Sequence, residues 1–295
     1  MNILIAGGTG FLGSYIKKRF EENGNVVRVI SRAGGDVSWD EKELISALEN
    51  TDVLINLAGK SIDCRFTKEN KQQILQSRIE TTAFLNNAIS KCKSAPKLWI
   101  NASATGIYKH TVDKILNEYS VELADDFLGK VVRKWEDDFF SLDFPGVRKV
   151  ALRTSVVFGK SGGVFPLLNR LSKLGVGGKQ GNGNQMFSWI YVEDYFRIIQ
   201  FIIATETVTG IVNATTPNPV SNKYLMAEFK KTNKAIFAIP SPKFLLQIAS
   251  YMLDFQPDLV LESTNVISLK LKDLNFEFTA PTVENVLELL NKNEK

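Results

Sequence analysis

The chain is predicted to be an α/β protein built on a doubly wound parallel sheet, with a smaller lobe toward its C-terminus. Three observations predict this. Residues 3–13 read as a buried strand, a glycine turn and an amphipathic helix. From there to about residue 157, short apolar runs alternate with longer segments of helical period, the pattern of parallel strands joined by covering helices. Past residue 160 the alternation gives way to a stretch punctuated by Gly162, Gly163, Gly175, Gly177, Gly178, Gly181 and Gly183.

Each element follows from its residues. Ile3, Leu4 and Ile5 make the first strand, and Leu12, Tyr15, Ile16 and Phe20 form the apolar stripe of the first helix. Val26, Val27, Val29 and Ile30 make the second strand. A short segment at 36–39, a helix over 41–49 and an apolar run at 53–57 come next. A long helix is expected over 68–91, a strand at 98–102, a helix over 125–140 and a strand at 150–157. Residues 1–160 are thus a Rossmann-type domain. Beyond it lie a helix over 194–204, a strand at 211–214, a helix from 222 and a segment marked by Pro240 and Pro242. The tail reads as an edge element at 274–278, then Pro281 and a helix to 290. Residues 161–295 are taken as a mixed substrate lobe and small C-terminal domain, free to share elements with the sheet. Ligands of open α/β sheets sit beyond the carboxyl ends of the strands, so such a lobe would close over them. Phe237, Phe244, Leu245 and Phe255 are expected in the lobe core.

Bulk properties exclude several classes. The hydrophobic fraction of 44% and charged fraction of 23% are those of a soluble globular protein. The net charge of +4 comes without a dense basic cluster interleaved with aromatics, which argues against nucleic acid as a partner. No signal-peptide pattern and no apolar run of about 18 residues is present, so no membrane role is expected. Cys64 and Cys92 form no C-x-x-C and suit free thiols in a reducing compartment, which points to the cytoplasm. A single histidine, His110, cannot found a multi-histidine centre; no metal is expected, and His110 is given a surface or loop role.

The glycines of the first turn carry the functional signal. Gly7 permits a tight turn, Gly10 lets backbone approach a pyrophosphate, and Gly13 lets the helix pack closely on the strand. The helix N-terminus then presents unpaired N–H groups to an anion. Gly8, Gly10 and Gly13 also satisfy G-x-G-x-x-G, a spacing that purely structural turns share; the flanking strand and helix favour a dinucleotide. At the end of the second strand an NAD site carries a carboxylate for the ribose, but here Ser31 and Arg32 follow Ile30. A guanidinium there suits a 2′-phosphate, so NADP(H) is expected over NAD(H). Asp36 lies beyond the Gly34–Gly35 turn and is not counted as the ribose acid.

Gly-Gly-Thr-Gly-Phe-Leu-Gly at 7–13, Asn56-Leu57-Ala58-Gly59 and Ser103-Ala104-Thr105-Gly106-Ile107-Tyr108 resemble the extended short-chain dehydrogenase/reductase superfamily. Phe66-Thr67, Ser77-Arg78-Ile79-Glu80-Thr81-Thr82, Trp135-Glu136, Leu152-Arg153-Thr154-Ser155-Val156-Val157-Phe158-Gly159 and Ser188-Trp189-Ile190-Tyr191-Val192-Glu193-Asp194 resemble one atypical branch. That branch is the epimerase-like NADP-binding family with a C-terminal domain of unknown function. The resemblance implies that Thr9, Gly10, Phe11, Leu12 and Gly13 hold the pyrophosphate and that Ser31 and Arg32 bind the adenosine phosphate. It implies that Leu57, Ala58 and Gly59 line the cleft at the end of the fourth strand, that Arg78 reaches the cofactor, and that Val156 contacts the nicotinamide end.

The superfamily's redox chemistry normally uses Tyr-x-x-x-Lys on a helix, the lysine depressing the tyrosine pKa. No tyrosine here has a lysine four residues on, and the helix in question reads Asp126-Phe127-Leu128-Gly129-Lys130. Ser103, at the position of the superfamily serine, and Tyr108 are the candidate catalytic hydroxyls. Lys130 and Asp194 are lesser candidates, Asp194 reading equally as the N-cap of the helix after Val192. The expected function is an NADP(H)-binding oxidoreductase or epimerase acting on a small molecule, with self-association left open. The alternative is a sensor or scaffold that holds NADP(H) without turning it over.

Overall fold

Successive side chains of β1 (Asn2–Ala6) enter two different cores: Ile3 and Ile5 one, Leu4 and Ala6 the other. A strand apolar on both faces must be covered on both. The structure, a computed structural model, describes residues 1–253 and 256–292. After β1 come α1 (Phe11–Glu22), β2 (Val26–Ile30), α2 (Glu41–Leu48), β3 (Val53–Asn56), α3 (Lys68–Ser90), β4 (Leu98–Ala104), α4 (Phe127–Phe140) and β5 (Arg148–Thr154). Next are β6 (Val156–Gly159), β7 (Gly162–Gly163), α5 (Phe165–Lys173), β8 (Met186–Phe187), β9 (Trp189–Tyr191), α6 (Val192–Ala204), β10 (Gly210–Ala214) and β11 (Val220–Ser221). The chain finishes with α7 (Asn222–Thr232), α8 (Lys243–Leu253), α9 (Asp258–Leu261), α10 (Leu269–Asp273) and α11 (Val283–Lys292).

Among the described residues the main sheet has six strands in the order β10-β5-β4-β3-β1-β2, each pair parallel. α1 and α6 cover one face through Ile16, Phe20, Phe196 and Ile199. Leu44 of α2, Leu85 and Ile89 of α3 and Phe139 of α4 cover the other. This is the doubly wound α/β architecture that the alternation predicts.

The structure differs from the expectation at several points. Segment 36–39 contributes one isolated bridge, Ile30 to Val37, so the run before Leu57 is the third strand rather than the fourth. The run at 150–157 divides at Ser155, and β6 leaves the main sheet to pair with β7 and β9. The sixth strand, β10, lies well past residue 160, so the chain returns to the sheet before forming its C-terminal part. No strand forms at 274–278; Phe276 and Phe278 instead pack edge to face, 4.9 Å apart, against the first core.

The expected lobe core is also different. Phe237, Phe244 and Leu245 are 57%, 59% and 44% exposed, and Phe255 lies outside the described residues. The lobe core is instead Phe158, Phe165, Trp189, Leu225, Phe229 and Leu287. Aromatic content alone does not say which face a neighbouring element covers.

Candidate cofactor and substrate site

Because all six strands run in parallel, the loops following them open at one edge of the sheet. The chain passes from β1 to β2 on one side and places β3 on the other, so the topological switch point lies between β1 and β3. Ligands of such sheets bind in that crevice. Gly7 turns there with φ +80°, and a Cβ on it would lie 2.8 Å from the backbone of Leu57 and Ala58. A Cβ on Gly13 would lie 2.3 Å from the Gly7 carbonyl oxygen, so α1 sits close on the turn. Gly10 is different: its Cβ would meet only the Gly7 oxygen, at 3.6 Å, and otherwise open space.

α1 starts from Gly10 with no side-chain cap and no acidic residue in its first turn. By contrast Asp40, Thr67, Asp126 and Ser221 cap α2, α3, α4 and α7 with their own oxygens. The first N–H groups of α1 are therefore left for an external acceptor. Thr9 is exposed beside them, and Leu12 packs on the first core. The Phe11 ring lies where side chains on Gly159 and Gly162 would stand, so its backbone rather than its ring faces the turn.

On the β2 side, Ser31 donates to the Ala33 carbonyl at 2.8 Å. Arg32 is exposed, with no ion-pair partner among the described residues. Asp36 accepts from the Val29 N–H at 2.8 Å and so closes the end of β2. On the β3 side, Leu57 N–H donates to Ala6 and Ala58 N–H to Asn56 Oδ1. Asn56 in turn donates to Asn101 on β4 at 2.7 Å.

Arg78 of α3 folds back over Gly59, whose Cβ would lie 3.4 Å from Cζ. Its Nη1 donates to the carbonyls of Lys60 and Ile74, and its guanidinium lies over the Trp135 ring. No carboxylate pairs with it among the described residues, and burial pulls its pKa down to about 10. A desolvated cation without an anion is well prepared to meet one. Val156 opens β6, its N–H donating to Ser188 and its side chain packing on the lobe core.

The two candidate hydroxyls lie in a buried polar chain. Ser103 donates to Glu136 Oε1 at 2.5 Å, and Arg153 grips both Glu136 oxygens, at 2.8 and 2.6 Å. Arg153 also donates to the Tyr108 hydroxyl at 2.7 Å, which donates on to Asn213 Oδ1 at 2.9 Å. Glu118 accepts from the Asn213 N–H, the Ser268 hydroxyl and the Leu269 N–H. Tyr108, expected to present its phenol to the cleft, is fully buried, and burial raises its pKa. Glu136, Arg153, Asn213 and Glu118 were not among the predicted site residues. The pairing of Glu136 with Arg153 joins a helix to a strand, which no local spacing announces.

Lys130 is exposed on α4. Asp194 is neither free for substrate nor an N-cap: Tyr191 occupies the cap position, and Asp194 is buried, accepting from Thr279 at 2.7 Å and Ala280 at 2.9 Å. It holds the C-terminal tail. His110 lies between the start of α4 and the segment after α9, with Nε2 2.8 Å from Asp126 and 3.2 Å from Glu262. Among the described residues no helix is long and apolar enough to cross a membrane.

A parallel sheet with an uncapped glycine turn at its switch point, and α4 carrying no Tyr-x-x-x-Lys, defines an atypical Rossmann-fold protein of the short-chain dehydrogenase/reductase type. The chain belongs to the NAD dependent epimerase/dehydratase family, whose profile matches residues 3–214, and residues 241–290 match the Domain of unknown function (DUF1731). It is 32% identical to Epimerase family protein YfhF of Bacillus subtilis (strain 168), over 100% of this chain and 99% of that one. It also resembles the crystal structure of human epimerase family protein SDR39U1 (isoform2) with NADPH, at TM-score 0.91 and 28% identity, covering 99% of this chain and 100% of that one. A nucleoside-diphosphate sugar epimerase from Corynebacterium glutamicum superimposes at TM-score 0.80 and 29% identity, covering 98% of this chain and 57% of that one.

Proposed function

We propose that this protein binds NADP(H) and uses it in an oxidoreductase or epimerase reaction on a small molecule held at the carboxyl edge of the sheet. The observation that carries this reading is the uncapped start of α1 at Gly10, which opens onto space beside the switch point. The human relative crystallised with NADPH supports the choice of cofactor, as does an exposed arginine where an NAD site places a carboxylate. Thr9, Gly10, Phe11, Leu12 and Gly13 hold the pyrophosphate through backbone N–H groups, and Gly7 shapes their turn. Ser31 and Arg32 take the 2′-phosphate. Leu57, Ala58 and Gly59 give the nucleotide a flat approach, Arg78 supplies positive charge, and Val156 borders the nicotinamide end. The bound cofactor supplies or accepts a hydride.

Ser103 is the proposed substrate-facing hydroxyl. Its proton is committed to Glu136, a group that only accepts, so the lone pairs on Oγ are left to receive a hydrogen bond from a substrate hydroxyl. Arg153 holds Glu136 in place and itself donates to the Tyr108 hydroxyl, which makes Tyr108 a positioning residue in this scheme. The free cysteines fit a cytoplasmic setting. The test is NADPH consumption across a panel of carbonyl compounds, with calorimetric NADPH binding measured alongside. Turnover that falls in Ser103→Ala while NADPH affinity holds is the expected result. Absence of NADPH binding at millimolar concentration would overturn the whole reading.

A further inference from the structure

His110, Asp126 and Glu262 present three donor atoms within 4.8 Å of one another, brought together from the loop after β4, the first cap of α4 and the residue following α9. The hydrogen bonding fixes what each atom can do. His110 Nδ1 lies 3.1 Å from the Ser263 carbonyl oxygen, which can only accept, so Nδ1 carries the proton. Nε2 faces two carboxylate oxygens, 2.8 Å and 3.2 Å away, donating to them when protonated and offering its lone pair to an ion in the neutral ring. With all three atoms within 4.8 Å of one another, a proton or a cation between them supplies the positive charge that two carboxylates call for. Among the described residues no lysine or arginine pairs with Asp126 or Glu262.

A proton on Nε2 offsets one of the two carboxylate charges; a divalent ion offsets both. The outer contacts are those a metal site uses. A ligating histidine usually donates its second N–H to a carbonyl or carboxylate, which fixes the tautomer and aims the ring. Here the Ser263 carbonyl does this, while Asp126 is steadied by its other oxygen, which accepts from the Gly129 N–H at 2.9 Å. All three side chains are about one-third exposed, at 31%, 32% and 38%, so water can complete the coordination. The surroundings are already tied: Ser263 Oγ donates to the Thr111 carbonyl and Asn265 Nδ2 to that of Val112.

We propose that His110, Asp126 and Glu262 form a binding site for a divalent transition-metal ion of the zinc class, with one nitrogen and two carboxylate ligands and water in the remaining position. Such a donor set suits Zn²⁺ and gives Mg²⁺, which prefers six oxygens, little advantage. The ion would clasp the segment after α9 to the start of α4. His110 is the only histidine in the chain, so its imidazole resonances report on the site without ambiguity.

The experiment is calorimetric titration of the full-length protein with Zn²⁺, and separately with Mg²⁺, while the imidazole protons are followed by NMR. Saturable 1:1 Zn²⁺ binding is expected, with a shift of the imidazole signals, no comparable response to Mg²⁺, and affinity that falls as acid protonates Nε2. His110→Ala should weaken binding by more than about a hundredfold, since even losing an outer-shell partner costs 10–100-fold. Glu262→Gln, which keeps shape and hydrogen bonding, should also weaken it, and melting curves of both variants check that they fold. The proposal is overturned if no saturable Zn²⁺ binding occurs up to millimolar concentration or if binding survives in both variants. It is equally overturned if the imidazole responds only to pH, which would make it a protonated bridge between two carboxylates.

Discussion

Replacing Gly10 with alanine separates the anion seat from the fold. Gly10 has φ −78° and ψ 174°, an extended conformation that alanine adopts freely, and the added methyl would meet only the Gly7 oxygen at 3.6 Å. The fold should scarcely register the change. Alanine is a poorer N-cap than glycine by up to about 1 kcal/mol, and it removes about 0.4–1 kcal/mol of unfolded-chain entropy. The two nearly cancel, so the melting temperature should stay within about 2–4 °C of wild type, the shift expected for 1 kcal/mol in a chain of roughly this size. Binding should change far more. A phosphate oxygen must come within about 3 Å of the N–H groups of α1, and a methyl carbon holds neighbours off at about 3.5 Å. Losing one hydrogen bond to a charged group costs about 1.5–3 kcal/mol, roughly a ten- to 150-fold weaker NADPH affinity. Calorimetry with NADPH and thermal melting on the same preparation read both quantities. Gly13→Ala is the contrast: its Cβ would stand 2.3 Å from a backbone oxygen, so it should lose about 1–3 kcal/mol of stability by overpacking. Gly10→Ala binding NADPH as tightly as wild type would refute the placement of the pyrophosphate.

Further outcomes follow from other residues. Arg32→Ala should weaken NADPH by about 1.5–3 kcal/mol, the worth of a hydrogen bond to a charged group, and leave NADH unchanged; equal losses for both cofactors would remove Arg32 from the 2′-phosphate. Tyr108→Phe strips partners from buried Arg153 Nη1 and Asn213 Oδ1, so denaturant midpoints should show a loss of about 1–3 kcal/mol while NADPH affinity holds. A stable Tyr108→Phe protein that lost turnover would instead give the phenol a part in the chemistry. Lys149 is buried against Trp99, Phe139, Phe140 and Phe144, and burial pulls its pKa from 10.5 down to about 8. Between those values the unfolded chain binds a proton that the folded chain does not, so this residue makes stability rise with pH. Denaturation of wild type and Lys149→Met across that window should show the wild type gaining on the variant as pH increases, and parallel curves would contradict the burial argument.

What the sequence disclosed depended on whether the governing interaction was local. The turn at Gly7, Gly10 and Gly13 was legible because strand, turn and helix are contiguous: Gly7 takes a positive φ, Gly13 leaves no room for a Cβ against the turn, and Gly10 opens onto space. The alternation of apolar runs gave the sheet, since a strand buried on both faces can be little else. Asp194 was misread because the capping rule sees only the helix start, while the N–H groups it accepts from lie 85 and 86 residues away. His110 does sit in a loop, as expected, but its surroundings were hidden for the same reason: its partners Asp126 and Ser263 are 16 and 153 residues along the chain. Phe237 and Phe244 show the converse limit, for apolar side chains announce that a face wants cover but not whether this chain supplies it.

The buried polar chain from Ser103 to Ser268 bears on how the C-terminal segment relates to the site. Asn213 at the end of β10 donates its side-chain nitrogen to the Ile267 carbonyl, and Glu118 accepts from Ser268 and Leu269. Leu116 pairs with the same segment, donating to Asn265 and accepting from Ile267. Without residues 265–269, the Asn213 amide and Glu118 carboxylate would lose the partners that satisfy them in the interior, and such groups left unpaired are costly. Asn213 is also the acceptor that orients Tyr108, which with Arg153 fixes Glu136 and so the direction of the Ser103 proton. The segment after α9 is therefore part of the framework that sets the polarity of the candidate site.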